Sequence, residues 1–155
     1  YKRQQLVNSG NCNQVSLTHL FVPLLHLDMK TILLVEDEIL LREGVQETLE
    51  VNGYTVIGAA DGIEALDWLQ QTEVSLVITD LVMPNMNGVE FIEELRVKYP
   101  KLPVIVASGS PDSVQNRLGI SNIQVPGASA CITKPFKGKD LVELVKKVLS
   151  EAAPE

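Results

Sequence analysis

Four charged side chains follow three short apolar runs of this chain. Glu36 and Asp37 follow Thr31 to Val35 (TILLV), Asp80 follows Leu76 to Thr79 (LVIT), and Lys134 follows Cys131 to Thr133 (CIT). Three carboxylates can surround a divalent cation. One lysine held beside them would suit phosphoryl chemistry, because a cation and an ammonium both stabilise phosphate oxygens. Taken singly, each residue has a plainer reading. An aspartate after a strand is ordinarily a turn or helix-cap residue, acids favour helix starts, and an isolated lysine solvates a surface. That plain reading is retained for Glu38. For the other four, occurrence together at three strand ends favours chemistry.

The elements that must position these residues alternate along the chain. Strands are expected near 31–35, 54–59, 74–79, 103–107 and 129–133, several of them almost continuously apolar, as when helices cover both faces of a sheet. Between them, Leu41, Val45 and Leu49 mark one buried helix face that Gly53 terminates. Ala65, Leu66 and Leu69 mark a second, and Phe91, Ile92 and Leu95 a third. Leu141, Leu144, Val145, Val148 and Leu149 mark the last. Alternating strands and helices predict a doubly wound, three-layer α/β fold with five parallel strands, five helices and right-handed crossovers. In such sheets the ligand site lies beyond the carboxyl ends of the strands, where the strand order reverses. Glu36, Asp37, Asp80, Ser108 and Lys134 are all expected there.

With 155 residues, 45% of them hydrophobic, the chain can bury the core of one domain. A net charge of −7 without a dense basic stretch argues against direct nucleic-acid binding. Cys12 and Cys131 lack metal-ligand or CxxC spacing and read as reduced thiols of a cytoplasmic protein. No apolar run is long enough to cross a bilayer. Leu17 to Leu27 is apolar but short, carries both histidines and Pro23, and lacks a small-residue cleavage site. Met29-Lys30-Thr31 looks like a natural start, so residues 1–28 read as an upstream or non-native extension, the alternative being a docking segment. The domain is expected over 29–150, with 151–155 a tail or the beginning of a linker.

The acidic pair Glu36-Asp37, the loop Asp80-Leu-Val-Met-Pro-Asn-Met-Asn-Gly88 (D-x-x-M-P-x-x-x-G) and the run Lys134-Pro135-Phe136 together resemble the receiver domains of response regulators in two-component systems. The resemblance covers about Lys30 to Leu149. It implies a flavodoxin-like (CheY-like) sheet in the order 2-1-3-4-5. It also implies that Asp80 accepts a phosphoryl group from a histidine kinase or histidine phosphotransfer protein. Mg²⁺ would be held by Glu36, Asp37, Asp80 and the backbone carbonyl of Val82. Lys134, before a cis proline, would contact Asp80 at rest and phosphate afterwards, and Ser108 would be the hydroxyl of the switch. The implied product is a changed interaction with a downstream output domain or protein. The implied catalysis is limited to the domain's own phosphorylation and dephosphorylation, and family habit suggests a homodimer through the last helices.

The chain departs from the family pattern at two places. The switch aromatic expected three residues before the lysine is Cys131, whose small side chain offers little change of shape. The segment between Ser108 and Lys134 is a few residues longer than usual and poor in helix formers, so a short fourth helix and an irregular loop are expected on the output face. A haloacid-dehalogenase-like phosphatase would need a second aspartate two residues after the nucleophile, where Val82 stands. A degenerate receiver acting only as a scaffold would neither bind Mg²⁺ nor accept phosphate.

Overall fold

A computed structural model describes residues 29–109 and 125–152. Five parallel strands, β1 (Thr31–Val35), β2 (Thr55–Ala59), β3 (Leu76–Thr79), β4 (Val104–Ser108) and β5 (Ala130–Thr133), form one sheet in the order β2-β1-β3-β4-β5. Among the described residues four helices connect or follow them: α1 (Ile39–Val51), α2 (Gly62–Gln71), α3 (Gly88–Lys98) and the C-terminal α4 (Gly138–Ala152). The expected architecture and strand order are therefore those observed. The short helix expected between β4 and β5 falls on residues 110–124, and the extension on 1–28, both outside the described residues.

The strands expose few side chains because each face has its own helical layer. Leu33, Val35, Val77, Val104 and Val106 pack with Ala65, Leu69, Phe91, Ile92 and Leu95 of α2 and α3. Their neighbours Ile32, Leu34, Leu76, Ile78 and Ile105 pack with Val45 and Leu49 of α1 and Leu141, Val142, Val145 and Val148 of α4. The change of layer at each successive residue is the period of two that a strand imposes. On α4 the buried stripe includes Val142, while Leu144 and Leu149 are only partly buried. The stripe is thus rotated slightly from the one expected. Gly53 follows α1 with φ +88°, a conformation that favours glycine and ends the helix as expected.

Two features bring the sheet's carboxyl edge to a defined shape. The ladder continues one residue past three strands: the Glu36 amide donates to Ala59 O (3.0 Å), that of Asp80 to Val35 O (3.0 Å) and that of Lys134 to Ser108 O (2.7 Å). The loop from Asp80 to α3 is closed at Gly88, whose amide donates to Leu81 O at 2.9 Å. A Cβ at position 88 would lie 2.1 Å from Asp80 O and 2.8 Å from Leu81 Cα, both backbone atoms that cannot swing away. Gly88→Ala is therefore expected to cost about 2–4 kcal/mol, as backbone-displacing overpacking does. Denaturant unfolding measures it, and a change below about 0.5 kcal/mol would contradict this close approach.

Candidate functional site

Glu36 begins the turn after β1, Asp80 follows β3 directly, and Lys134 follows β5. The ladder bonds above draw these three ends together. The Lys134 ammonium bridges two carboxylates, donating to Glu36 Oε2 at 2.5 Å and Asp80 Oδ2 at 2.7 Å. The other Asp80 oxygen, Oδ1, accepts from the amides of Leu81 (2.5 Å) and Val82 (3.2 Å). Glu36 Oε1 accepts from the Glu38 amide at 3.3 Å. The Lys134–Pro135 peptide is cis.

Burial and pairing oppose each other here. Burial pushes the Glu36 carboxyl above its ordinary 4.5, Asp80 adding to the rise, and the hydrogen bond and charge of Lys134 pull it back only in part. For Lys134, burial alone would lower the ammonium. The ion pairs with Asp80 and Glu36 outweigh that, leaving it above its ordinary 10.5. The folded state thus binds a proton at Glu36 more readily than the unfolded chain does. Stability from this group falls as pH rises from 4.5 through the raised value, so ionised Glu36 is a net cost at neutral pH. Glu36→Gln is accordingly expected to leave stability unchanged or raise it by about 0.5–1 kcal/mol at pH 7. Its effect on Mg²⁺ binding should be a loss. Paired unfolding and Mg²⁺ titrations check this, and a destabilisation beyond about 2 kcal/mol would contradict it.

The donor set suits a hard cation. Single oxygens of Glu36, Asp37 and Asp80 lie within 4.8 Å of one another, Glu36 buried, Asp80 partly buried and Asp37 exposed. Mg²⁺ takes oxygen ligands, retains several waters and needs few carboxylates, so an open mouth at Asp37 fits it. Lys134 lies against Glu36 and Asp80 of the same set, so a cation and an ammonium can share one anionic cluster.

Other residues named from the sequence are placed with less direct contact. Ser108 is the last residue of β4 rather than the first after it, and its 1% exposure makes it buried. Its register partner is Thr133, immediately before Lys134, and its hydroxyl donates to Gly109 O at 3.3 Å rather than to the acidic cluster. Cys131 lies in β5 beside Val106 with part of its surface exposed, and the partial desolvation of its thiol raises the pKa ahead of a lowering hydrogen bond involving Val125. Val82 stands in the loop that carries Asp80.

Sequence reasoning missed two groups that brace this edge. Asp61 caps α2 by accepting from the amides of Ile63 and Glu64 (both 2.9 Å), and its second oxygen accepts from Asn85 Nδ2 at 2.6 Å. That bond ties α2 to the loop after Asp80, where Asn85 has φ 61°. The spacing Asp61 to Glu64 carried the helix-start signal. Arg42, one turn into α1, reaches back to the Glu36 carbonyl at 2.5 Å. Nothing in the spacing of Arg42 alone marks that contact.

A doubly wound parallel sheet with an acidic, lysine-bridged cluster at its carboxyl edge defines an α/β protein with a candidate cation site at the strand-order reversal. The chain belongs to the family of response regulator receiver domains, whose model matches residues 32–146. It is 34% identical over 125 residues to a transcriptional regulatory protein, CpxR homolog, of Haemophilus influenzae, covering 81% of this chain and 52% of that one. It is 37% identical over 123 residues to the sensor kinase CckA of Brucella abortus, covering 78% of this chain but 13% of the kinase. The chain therefore spans about half of the first relative and a small part of the second. Among solved structures, the chemotaxis response regulator CheY4 of Vibrio cholerae superposes with a TM-score of 0.64 at 33% identity, over 77% of this chain and 98% of that one. The signal receiver domain of an HD domain-containing protein from Pseudomonas fluorescens gives 0.70 at 26% identity, over 80% and 97%. What the match shows is a receiver domain of the response regulators of two-component systems. No helix among the described residues is long and apolar enough to cross a membrane.

Proposed function

We propose that this receiver, over residues 29–150, takes a phosphoryl group onto Asp80 from a histidine kinase or a histidine phosphotransfer protein in the cytoplasm. The observation that carries the reading is the Lys134 bridge between Glu36 and Asp80, with Asp37 completing the acidic cluster. One Asp80 carboxylate oxygen forms the new bond to phosphorus as the bond from phosphorus to the donor imidazole nitrogen breaks, leaving an acyl phosphate and a neutralised histidine. Mg²⁺ held by Glu36, Asp37, Asp80 and the Val82 carbonyl would supply charge neutralisation for the phosphoryl oxygens.

The chain's own groups do the rest. The amides of Leu81 and Val82 hold Asp80 Oδ1 in a fixed direction, which lowers the orientational cost of attack. Lys134, already above its ordinary pKa, stays protonated and meets the added negative charge with a charge-assisted hydrogen bond. In this reading Ser108, whose backbone carbonyl accepts from the Lys134 amide, would exchange its Gly109 carbonyl for a phosphoryl acceptor. A switch from 1:99 to 99:1 needs about 5.5 kcal/mol of differential stabilisation, which several such contacts must share. The consequence is a changed surface for an output domain or protein, and dimerisation through the C-terminal helix is one form it can take.

The test is intact-mass spectrometry after incubation with acetyl phosphate, with Mg²⁺ or with a chelator. A single, alkali-labile phosphoryl adduct that needs Mg²⁺ is expected. Absence of any adduct, both from acetyl phosphate and from phosphohistidine donors, would instead favour a receiver used only as a scaffold.

A further inference from the structure

The acidic edge is held by a residue outside the acidic cluster. α1 starts without the usual devices: Glu38 makes no side-chain cap and no acid lies in the first turn. Arg42 supplies a different anchor, its Nη1 donating to Glu36 O at 2.5 Å while its own amide donates to Glu38 O at 2.9 Å. Its stem crosses β2 at Gly58, where a Cβ would come 3.2 Å from Arg42 Cδ and 3.4 Å from Nε. Gly58 pairs with Leu34 in the neighbouring strand, two residues before Glu36. The bare position on β2 thus gives the arginine stem its path to the turn.

The held carbonyl belongs to the peptide that leads into Asp37. Because that peptide is planar, fixing the Glu36 oxygen fixes the Asp37 nitrogen and Cα with it. Glu36 needs no further help, its amide, carbonyl and both carboxylate oxygens having partners. Asp37 is exposed, and its carboxylate has no protein partner among the described residues, so the backbone alone aims it.

We propose that Arg42 is a positioning residue for metal binding, and that Gly58 is required to let it act. The guanidinium locks the Glu36–Asp37 peptide so that the Asp37 carboxylate faces the oxygens of Glu36 and Asp80. This rests on the reading of the acidic cluster as a Mg²⁺ site. The arginine's role is geometric: it sets the direction of a ligand rather than touching the cation.

The experiment compares wild type, Arg42→Ala, Arg42→Lys and Gly58→Val, using Mg²⁺ alone as the probe. Calorimetric titration gives the affinity, the ¹H–¹⁵N spectrum of the metal-free protein reports the Asp37 amide, and thermal melting reports the fold. Arg42→Ala is expected to weaken Mg²⁺ roughly tenfold or more, the usual effect of losing a support behind a metal ligand, and to move the Asp37 amide before any metal is added. Arg42→Lys should restore part of both. Gly58→Val, which displaces the stem but keeps the charge, should reproduce the loss. Wild-type affinity in Gly58→Val with loss confined to Arg42→Ala would make the effect one of charge and overturn the proposal. So would wild-type affinity and an unmoved Asp37 amide in Arg42→Ala, with the metal-site reading left standing. If the wild type itself bound no Mg²⁺, that reading would fail and the proposal with it.

Discussion

Asp80→Asn is expected to lower phosphoryl uptake below detection, while the folded protein persists. The amide keeps one oxygen for the Leu81 and Val82 amides, which accounts for retained structure. It cannot form an acyl phosphate, and neighbouring acids are poor substitutes. Glu36 is buried and turned to Lys134, and among the described residues Asp37 lacks the pair of amides that aims Asp80. Glu36 is raised chiefly by burial, and losing one like charge eases the smaller repulsion that adds to the rise, so the penalty in stability should stay under about 1 kcal/mol. Mg²⁺ should then raise the melting temperature less than it does in wild type, because one ligand is neutral. Phosphoryl incorporation and melting curves with and without Mg²⁺ check the two parts separately. An adduct of wild-type yield on Asp80→Asn would remove Asp80 from the central role.

Lys134→Ala is expected to have the largest effect on stability of any substitution among the four charged residues of the site. The side chains of Glu36 and Asp80 are only 6% and 13% exposed, and both lose the same ammonium. Breaking a buried pair costs about 3–5 kcal/mol, and partial access to water at this edge reduces the expectation to about 2–3 kcal/mol. The sign with pH follows from the raised pKa of Lys134. Its contribution is fully present below 10.5 and is lost as pH rises through the raised folded value, so the deficit should hold across the neutral range. Mg²⁺ should recover part of the loss by replacing the missing positive charge. Phosphoryl uptake should slow by about tenfold to a hundredfold, as when one charge-stabilising donor is removed. Urea unfolding at several Mg²⁺ concentrations, with rates from acetyl phosphate, measures both. Equal stability with and without Lys134 would mean that the ion pairs carry no net energy.

Most of the fold was legible because its signals are local. Leu76 to Ile78 and Val104 to Ala107 are apolar at every position, as a short strand covered on both faces requires, and the polar and charged residues after them mark where the sheet stops. The acids and Lys134 were legible for the same reason, each standing one or two residues past an apolar run. What stayed hidden depends on residues that meet through space. Arg42 reaches the Glu36 carbonyl across a turn, and Asn85 reaches Asp61 across 24 positions. Gly88 was visible as a motif member, but the 2.1 Å approach of its absent Cβ to Asp80 O belongs to the closed loop alone. Ser108 shows a finer limit. Apolar patterning placed it just after the strand, whereas its pairing with Thr133 keeps it in the ladder as the final buried residue of β4.

The central claim is that Asp80 is the acceptor and that the acidic cluster makes it reactive. The most direct measurement is to treat the protein with acetyl phosphate and Mg²⁺, reduce with borohydride, and sequence the peptides by mass spectrometry. Borohydride converts an aspartyl phosphate to homoserine and leaves unmodified aspartate intact. The account predicts homoserine at position 80 alone, dependent on Mg²⁺ and greatly reduced in Asp37→Asn. Homoserine at Asp37 or another acid, or equal conversion of Asp80 in the presence of a chelator, would contradict it.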